Sequence, residues 1–526
     1  MKLLLALSLV LTASLCAAQN TPPTVEITST SVDELAQNVT IFYTLDDADN
    51  DLCEVWIKIS TDSGEYYETV TSNAVSGDVG DDIASAEGLA LTWNYSGFAG
   101  FIGDVHVKVY ASDHSVVNIQ EMVDQVDEDQ LLSYLEQVVG ERHYQAAPEH
   151  LENARQVMSA AFSTAGLQTE GHDFQHLQTD MQNIIGRKPG ARNEAITYII
   201  DGHFDGVEGS PGADDNGSAV AGVLEALRIL SQYEFEHSLR FIGFDAEELG
   251  LIGSLRYVQN GIKPYEEIAG VLNLEMIGYY DDAPNTQLLP EGFDLLFPAA
   301  AQDVADDEFR GNFLTVVGNV ASNPLISAFL NASETYVPDL RLIDVAVPGN
   351  GTIAPDLRRS DHSRFWDANY QALMLTDGSE FRNFNYHTPN DVIETLNFTF
   401  MAQVVAATLA TAAELAIPIS AGSATVDLAP FVQVSEHKHA LPGQLRIFPN
   451  PTNGILSLIS ANNTHAYRAR CEVYDLSGQL VHRELCMFTA GTSGARIDVQ
   501  HLAAGSYILV VHSGDAAQSL GFSVQR

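Results

Sequence analysis

Apolar positions follow three rhythms along the chain. From about Thr21 to Asp113 the short runs Thr24–Ile27, Val39–Tyr43, Val55–Ser60, Leu89–Trp93 and Val105–Tyr110 alternate or cluster β-branched and aromatic side chains between Gly, Asp and Ser turns. Their length and spacing predict a β-sandwich of immunoglobulin or fibronectin type. From Glu128 to Gly166 the period lengthens to that of helices, over Leu131–Val139 and Leu151–Ala165. Short, wholly apolar runs then alternate with helical periods: Ala195–Ile200, Ser218–Leu230, Leu239–Phe244, Leu249–Val258, Ala269–Leu274, Ala372–Leu375 and an Ala-rich helix near Phe400–Leu415. Wholly apolar strands separated by helices predict a largely parallel sheet covered on both faces. Pro418 to Leu441 reads as a linker. Strand patterns return at Leu445–Phe448, Ile455–Ile459, Cys471–Tyr474, Ala495–Val499 and Ser506–Val511. The expected fold class is α/β, a mixed, largely parallel sheet sandwiched by helices and flanked by an N-terminal β-sandwich and a small C-terminal one. The expected divisions are 1–18, 19–118, 119–417, 418–441 and 442–526.

Composition adds location and excludes partners. Lys2 followed by the apolar Leu3–Leu15, then Ala17 and Ala18, predicts a secretory signal peptide cut after Ala18. The lipoprotein alternative would use Cys16, but Leu15 is bulky where a small residue is needed. No later run is expected to be long and apolar enough for a membrane helix. Asp and Glu total 70 against 25 Lys and Arg, a net charge of -45. Such a surface repels nucleic acid and anionic lipid, so no nucleic-acid partner is expected. The acidic run Asp46, Asp47, Asp49, Asn50 and Asp51 is read as an acidic turn, with calcium binding the alternative. Beyond Cys16 the cysteines are Cys53, Cys471 and Cys486. They are too scattered for a cysteine-rich zinc site, and export permits a Cys471–Cys486 disulfide without establishing it.

Candidate chemistry collects where the predicted strands end. Ala195–Ile200 leads to Asp201-Gly202-His203-Phe204-Asp205, and a Gly-rich loop then carries Asp214-Asp215-Asn216 to the start of a helix. Leu239–Phe244 leads to Asp245-Ala246-Glu247-Glu248, Ala269–Leu274 to Glu275, and Ala372–Leu375 through Asp377-Gly378 to Tyr386-His387. Ligands in open α/β sheets bind outside the carboxyl ends of strands, so these side chains are expected to converge. Each piece alone has a plain reading: a surface histidine, an acidic helix start, a capping aspartate. Together they supply two imidazoles and several carboxylates, a donor set suited to zinc.

On the motifs Gly202-His203-Phe204-Asp205, Gly212–Ser218, Ala246–Ser254, Asn273-Leu274-Glu275-Met276, Ser360-Asp361-His362 and Tyr386-His387-Thr388-Pro389, the stretch from about Asp127 to Leu415 resembles a zinc aminopeptidase family. That family includes bacterial leucyl aminopeptidases, glutamate carboxypeptidase and the transferrin-receptor ectodomain. The resemblance implies the zinc-peptidase fold and two Zn2+ per chain bridged by Asp215, with Asn216 following through a strained peptide. Glu248 and His387 would complete one metal site, and His203 and Glu275 the other. Many relatives carry Asp where this chain has Glu275. Glu247 would be the general base that deprotonates a water bridging the metals, Asp205 would fix the tautomer of His203, and Tyr386 would donate to the oxyanion. Asp361 and His362 match the family but are read as structural. The implied activity is removal of N-terminal residues from peptides. Carboxypeptidase or dipeptidase action, with specificity in loops such as Pro284–Gly349, is an alternative, glutaminyl cyclisation a weaker one, and a non-catalytic binding protein weaker still. Ile447–Gly454, Val473–Gly478 and Leu502–Tyr507 resemble the C-terminal sorting domain of the type IX secretion system, against a carbohydrate-binding or adhesive module. The likeness implies a Gram-negative host and a partnership with the secretion machinery. A secreted or cell-surface monomer acting on peptides is the resulting expectation.

Overall fold

An eight-stranded sheet lies at the centre of the computed structural model, which describes residues 20–525 except 34, 63, 97–101, 433–443, 464–465, 476–479 and 514–515. The signal peptide expected over 1–18 lies outside the described residues. The strand order is Leu342–Val347, Leu314–Asn319, Ala372–Thr376, Glu267–Leu274, Asn193–His203, His237–Phe244, Thr179–Lys188 and Gln168–His176. The four strands from Ala372–Thr376 to His237–Phe244 are mutually parallel. Antiparallel pairings begin on either side of them.

Consecutive residues of these strands serve opposite cores, because side chains alternate across a sheet. Ile200, Phe241, Leu272 and Leu373 pack with the helices Ala219–Leu230 and Phe398–Ala416. Their neighbours Ile199, Ile242, Val271 and Met374 pack with Tyr257, Phe365 and Trp366. Both faces being buried, the central strands read as unbroken apolar runs. Phe398–Ala416 is long and apolar enough to cross a membrane by length and composition, contrary to the expectation of no such segment. It is a core helix, buried from Val404 to Ala413 and started by Asn397, whose side chain accepts from the Phe400 amide.

Two antiparallel sheets flank each end. The N-terminal pair contains all five strands expected there, with Val39, Ile41, Val55, Ile57, Trp93, Val107 and Val109 in its core. The C-terminal pair contains the five expected strands together with Leu480–Phe488 and Ala516–Val524.

The segment expected to be a linker, 418–441, is structured in its first half. Pro418–Ile419 pairs with Glu234–Phe235, and Ala421–Val432 adds an edge strand along Ile102–Ser112 of the N-terminal sandwich. The strict alternation of Ser423, Thr425 and Asp427 with Ala424, Val426 and Leu428 accounts for this, with Leu428 buried in the sandwich core. The small residues at its start mask the pattern. Residues 433–441 lie outside the described residues. The same sandwich is tied to the central sheet by Lys58, whose buried ammonium donates to Gly190 O at 2.6 Å and Glu194 Oε2 at 3.0 Å.

Candidate metal centre

Parallel strands end at a common edge, so the four central ones deliver their following residues to one place. His203 closes the strand Asn193–His203, Glu247 and Glu248 lie in the turn after His237–Phe244, and Glu275 directly follows Glu267–Leu274. Ala372–Thr376 leads on to Tyr386 and His387. Asp215 enters from the loop that opens the helix Ala219–Leu230, and its peptide bond to Asn216 is cis.

These side chains meet. Asp215 Oδ1 lies 3.5 Å from His203 Nε2, and its Oδ2 lies 3.0 Å from His387 Nε2. Glu275 Oε2 is 3.5 Å and Glu247 Oε2 3.9 Å from His203 Nε2, while Glu248 Oε1 is 3.2 Å from His387 Nε2. Two groups of donors result, each able to hold one ion: His203, Glu247 and Glu275, and Asp215, Glu248 and His387. His203, Asp215, Glu247 and Glu275 are buried, whereas His387 is open to solvent. Asp205 contributes chiefly by positioning: its two oxygens accept from the amides of Glu247 and Glu248 at 3.0 and 3.1 Å. Its distance to His203 Nδ1 is 3.4 Å, longer than ordinary N–H···O bonds.

Four carboxylates facing two imidazoles, mostly out of water, carry an excess of negative charge that burial makes costly. The titration behaviour follows from it. For His203, burial acts to lower the value, but Glu247, Glu275, Asp205 and Asp215 together hold it well above the ordinary 6.5. His387 is raised to about 9, its bonds to Asp215 and Glu248 outweighing burial. Burial and Asp215 lift Glu248 to about 7. Glu247 is lifted further by burial, with His203 opposing and Glu275 and Glu248 adding. Protons held by so many groups meant for deprotonated coordination are the mark of a site that fits a cation: zinc-type ligation takes neutral imidazole and ionised carboxylate.

Tyr386 stacks on His387, ring centroids 3.7 Å apart. Its hydroxyl accepts from Arg359 Nη2 at 3.0 Å. Burial, then the charges of Asp215 and Glu248, raise its phenol, so it stays protonated.

Several supporting contacts escape a reading of the sequence. The buried Arg142 donates to the carbonyls of Phe204, Val138, Gly140, Pro211 and Gly212, clamping the backbone that leads into Asp215. Asp391 accepts from the amides of Asp214 and Asp215 at 2.9 and 3.1 Å. Asn216 donates to Leu274 O and accepts from Met276 N, locking the Asp215 loop to the Glu275 turn. Ser360 donates to Glu275 Oε2 at 2.7 Å. Ser360 stands in a motif already singled out. Arg142 and Asp391 belong to no periodic pattern, since their partners are backbone atoms of distant loops. Asp361 and His362 are buried and belong to neither donor group; His362 Nε2 lies 3.0 Å from Leu357 O.

The profile described as Peptidase family M28 matches residues 183–412, a stretch that holds all eight candidate residues. The one described as Secretion system C-terminal sorting domain matches residues 446–523. Uncharacterized protein YfbL of Escherichia coli (strain K12) is 30% identical over 270 residues, 49% of this chain and 78% of that protein. Aminopeptidase YwaD of Bacillus subtilis (strain 168) is 43% identical over 100 residues, 18% of this chain and 22% of that protein. Leucine aminopeptidase 1 of Grosmannia clavigera is 27% identical over 248 residues, 44% of this chain and 53% of that protein.

Proposed function

The chain belongs to peptidase family M28, and on that footing we propose that it is an exported aminopeptidase working with two zinc ions. The observation that supports this best is the placing of Asp215, one oxygen toward His203 and the other toward His387. In this reading Asp215 would be shared between the two ions, Glu248 and His387 would hold one, and His203 and Glu275 the other, which would leave Glu247 to act on protons. When bound, zinc lowers the pKa of a coordinated water and polarises the scissile carbonyl.

Glu247 takes the proton of the attacking water and passes it to the leaving amine. Tyr386 offers its hydroxyl hydrogen to the oxyanion, because Arg359 already occupies the oxygen as a donor. Asp205 sets the turn that aims Glu247 and Glu248. A free ammonium at the substrate's first residue follows from the likeness to proteins named as aminopeptidases. Beside Glu275 and Tyr386 opens a cavity lined by Leu289, Phe293, Phe313, Val317 and Met374, walled largely by the 284–349 region. It accepts an apolar side chain on that residue. The sorting-domain match indicates export by the type IX route, and the leader cut after Ala18 belongs to the same proposal.

Chelation is expected to abolish hydrolysis of aminoacyl substrates, about two equivalents of zinc per chain to restore it, and N-acetylated substrates to remain intact. Hydrolysis that survives complete metal removal overturns the metal assignment. Equal rates on free and N-acetylated substrates overturn the aminopeptidase assignment.

A further inference from the structure

Cys471 and Cys486 lie on the neighbouring antiparallel strands Tyr467–Asp475 and Leu480–Phe488 of the C-terminal sandwich. In that register Ala469 faces Cys486 and Cys471 faces Glu484, so the two cysteines are diagonal neighbours on one face of the sheet. Both point into the core among Leu458, Val473, Phe488 and Val511, exposed by 0% and 2%. Their sulfurs are 2.9 Å apart, so closing to the roughly 2.0 Å of a disulfide takes a movement of about 0.9 Å. No third donor joins them: among the described residues neither cysteine belongs to a group able to hold a metal ion.

We propose that Cys471 and Cys486 form a disulfide that staples the C-terminal sandwich once the chain has left a reducing compartment. The oxidant is a disulfide, either of an exchange protein or of a small thiol. One cysteine, as thiolate, attacks the oxidant's S–S bond and releases a first thiol. The second then attacks the mixed disulfide, releasing a second thiol and leaving the protein S–S bond. Two protein thiols are oxidised, one disulfide is reduced to two thiols, and the two protons pass to them. Proximity to Cys486 and then burial raise the Cys471 thiol, which slows exchange in the folded core. Pairing therefore belongs to folding after export, where disulfides persist. The third cysteine does not compete: Cys53 is fully buried in the other sandwich, and burial with Asp47 and Asp113 pushes its thiol up to about 11. A link between residues 15 apart removes freedom from the unfolded tail only, so its existence is independent of the peptidase reading.

The full chain, refolded in a glutathione disulfide–thiol buffer, is to be denatured, alkylated without reduction, digested and weighed. The expected result is one cross-linked peptide pair containing Cys471 and Cys486, 2 Da lighter than the two thiol peptides, with Cys53 alkylated. Reduction before alkylation should convert the pair into two alkylated peptides, and the link should persist in Cys53→Ala and vanish in Cys486→Ala. Complete alkylation of Cys471 and Cys486 in the oxidised wild type, or a link through Cys53, overturns the proposal. This peptide map needs only wild-type protein, so it decides the matter even where Cys486→Ala fails to fold.

Discussion

Glu247 and Glu248 are chemically identical neighbours that the fold turns toward different imidazoles, Glu247 to His203 at 3.9 Å and Glu248 to His387 at 3.2 Å. Their roles should separate in experiment. Glu248→Ala should lose metal and, through it, activity. Glu247→Gln should keep metal and fold while turnover falls by about 10²–10⁴-fold, the range of a lost general base. Bound zinc and turnover measured side by side decide it; equal metal loss in both variants would make Glu247 a ligand instead. His387 carries a second expectation. In the metal-free protein its folded value of about 9 lies above the ordinary 6.5. Its contribution to stability is thus fully present below about 6.5 and lost as pH rises through about 9. Zinc must expel that proton, so at pH below about 9 His387 alone should make zinc affinity rise about tenfold per pH unit, with His203 and Glu248 adding to the slope where they hold protons. A zinc titration against a competing chelator at stepped pH would show it, and a flat profile would remove His387 from the site. Most of the candidate donors were legible in the sequence because they follow apolar runs, and Asp215 because it stands in a Gly-rich loop that opens a helix. Arg142, Asp391 and Ser360 were not assigned, because what they do depends on partners brought close only by folding.

At the scale of elements, legibility followed burial. Strands covered on both faces, such as His237–Phe244 and Ala372–Thr376, stand out as apolar runs. The sheet edge Gln168–His176 buries only Phe174 and shows no such run, and Leu342–Val347 was hidden in a region that reads as loop. The strand Cys53–Ser60 shows what patterning alone does not announce: Lys58, at 1% exposure, is neutralised by Glu194, a residue of the central strand region. Burial lowers the Lys58 value while Glu194 raises it. Lys58→Met should therefore cost about 3–5 kcal/mol, because it strands the Glu194 carboxylate out of water. Adding Glu194→Gln should recover part of that loss. Denaturant unfolding of the three variants tests this, and a loss below about 1 kcal/mol for Lys58→Met would mean that water reaches the pair.

For the whole molecule, the path of the chain matters most. After the helix Phe398–Ala416 it returns to the first sandwich, where Ala421–Val432 pairs along Ile102–Ser112. Ser420 donates to Asp113, which also accepts from Asn20, so three residues far apart in the chain meet at one point of the sandwich. A chain ending near Ile417 lacks that strand and uncovers the core that Leu428 seals. One ending at Val432 keeps it and every candidate catalytic residue. The longer truncation should match the full chain in thermal stability of this part and in hydrolysis, and the shorter should unfold at lower temperature. Equal melting of the two would mean that the returning strand adds nothing to the sandwich. In a secreting host both should fail to pass the outer membrane, for both lack residues 446–523.

The sequence by itself determined the fold class, the order of the strands' chemistry and the identity of the metal-binding candidates. Periodicity is local, and a strand buried on both faces must be apolar whatever its neighbours are. The pairing of Glu248 with His387 and of Glu275 with His203 was already implied by the family resemblance; only the tertiary structure decided that both oxygens of Asp205 accept from backbone amides and that a supposed linker completes a distant sandwich. It also decided that two cysteines on adjoining strands lie within reach of each other. The cysteines, 15 residues apart, needed only the register of adjoining strands; the other relations join segments far apart in the chain, set by strand order and loop closure, and no short window of sequence contains both partners.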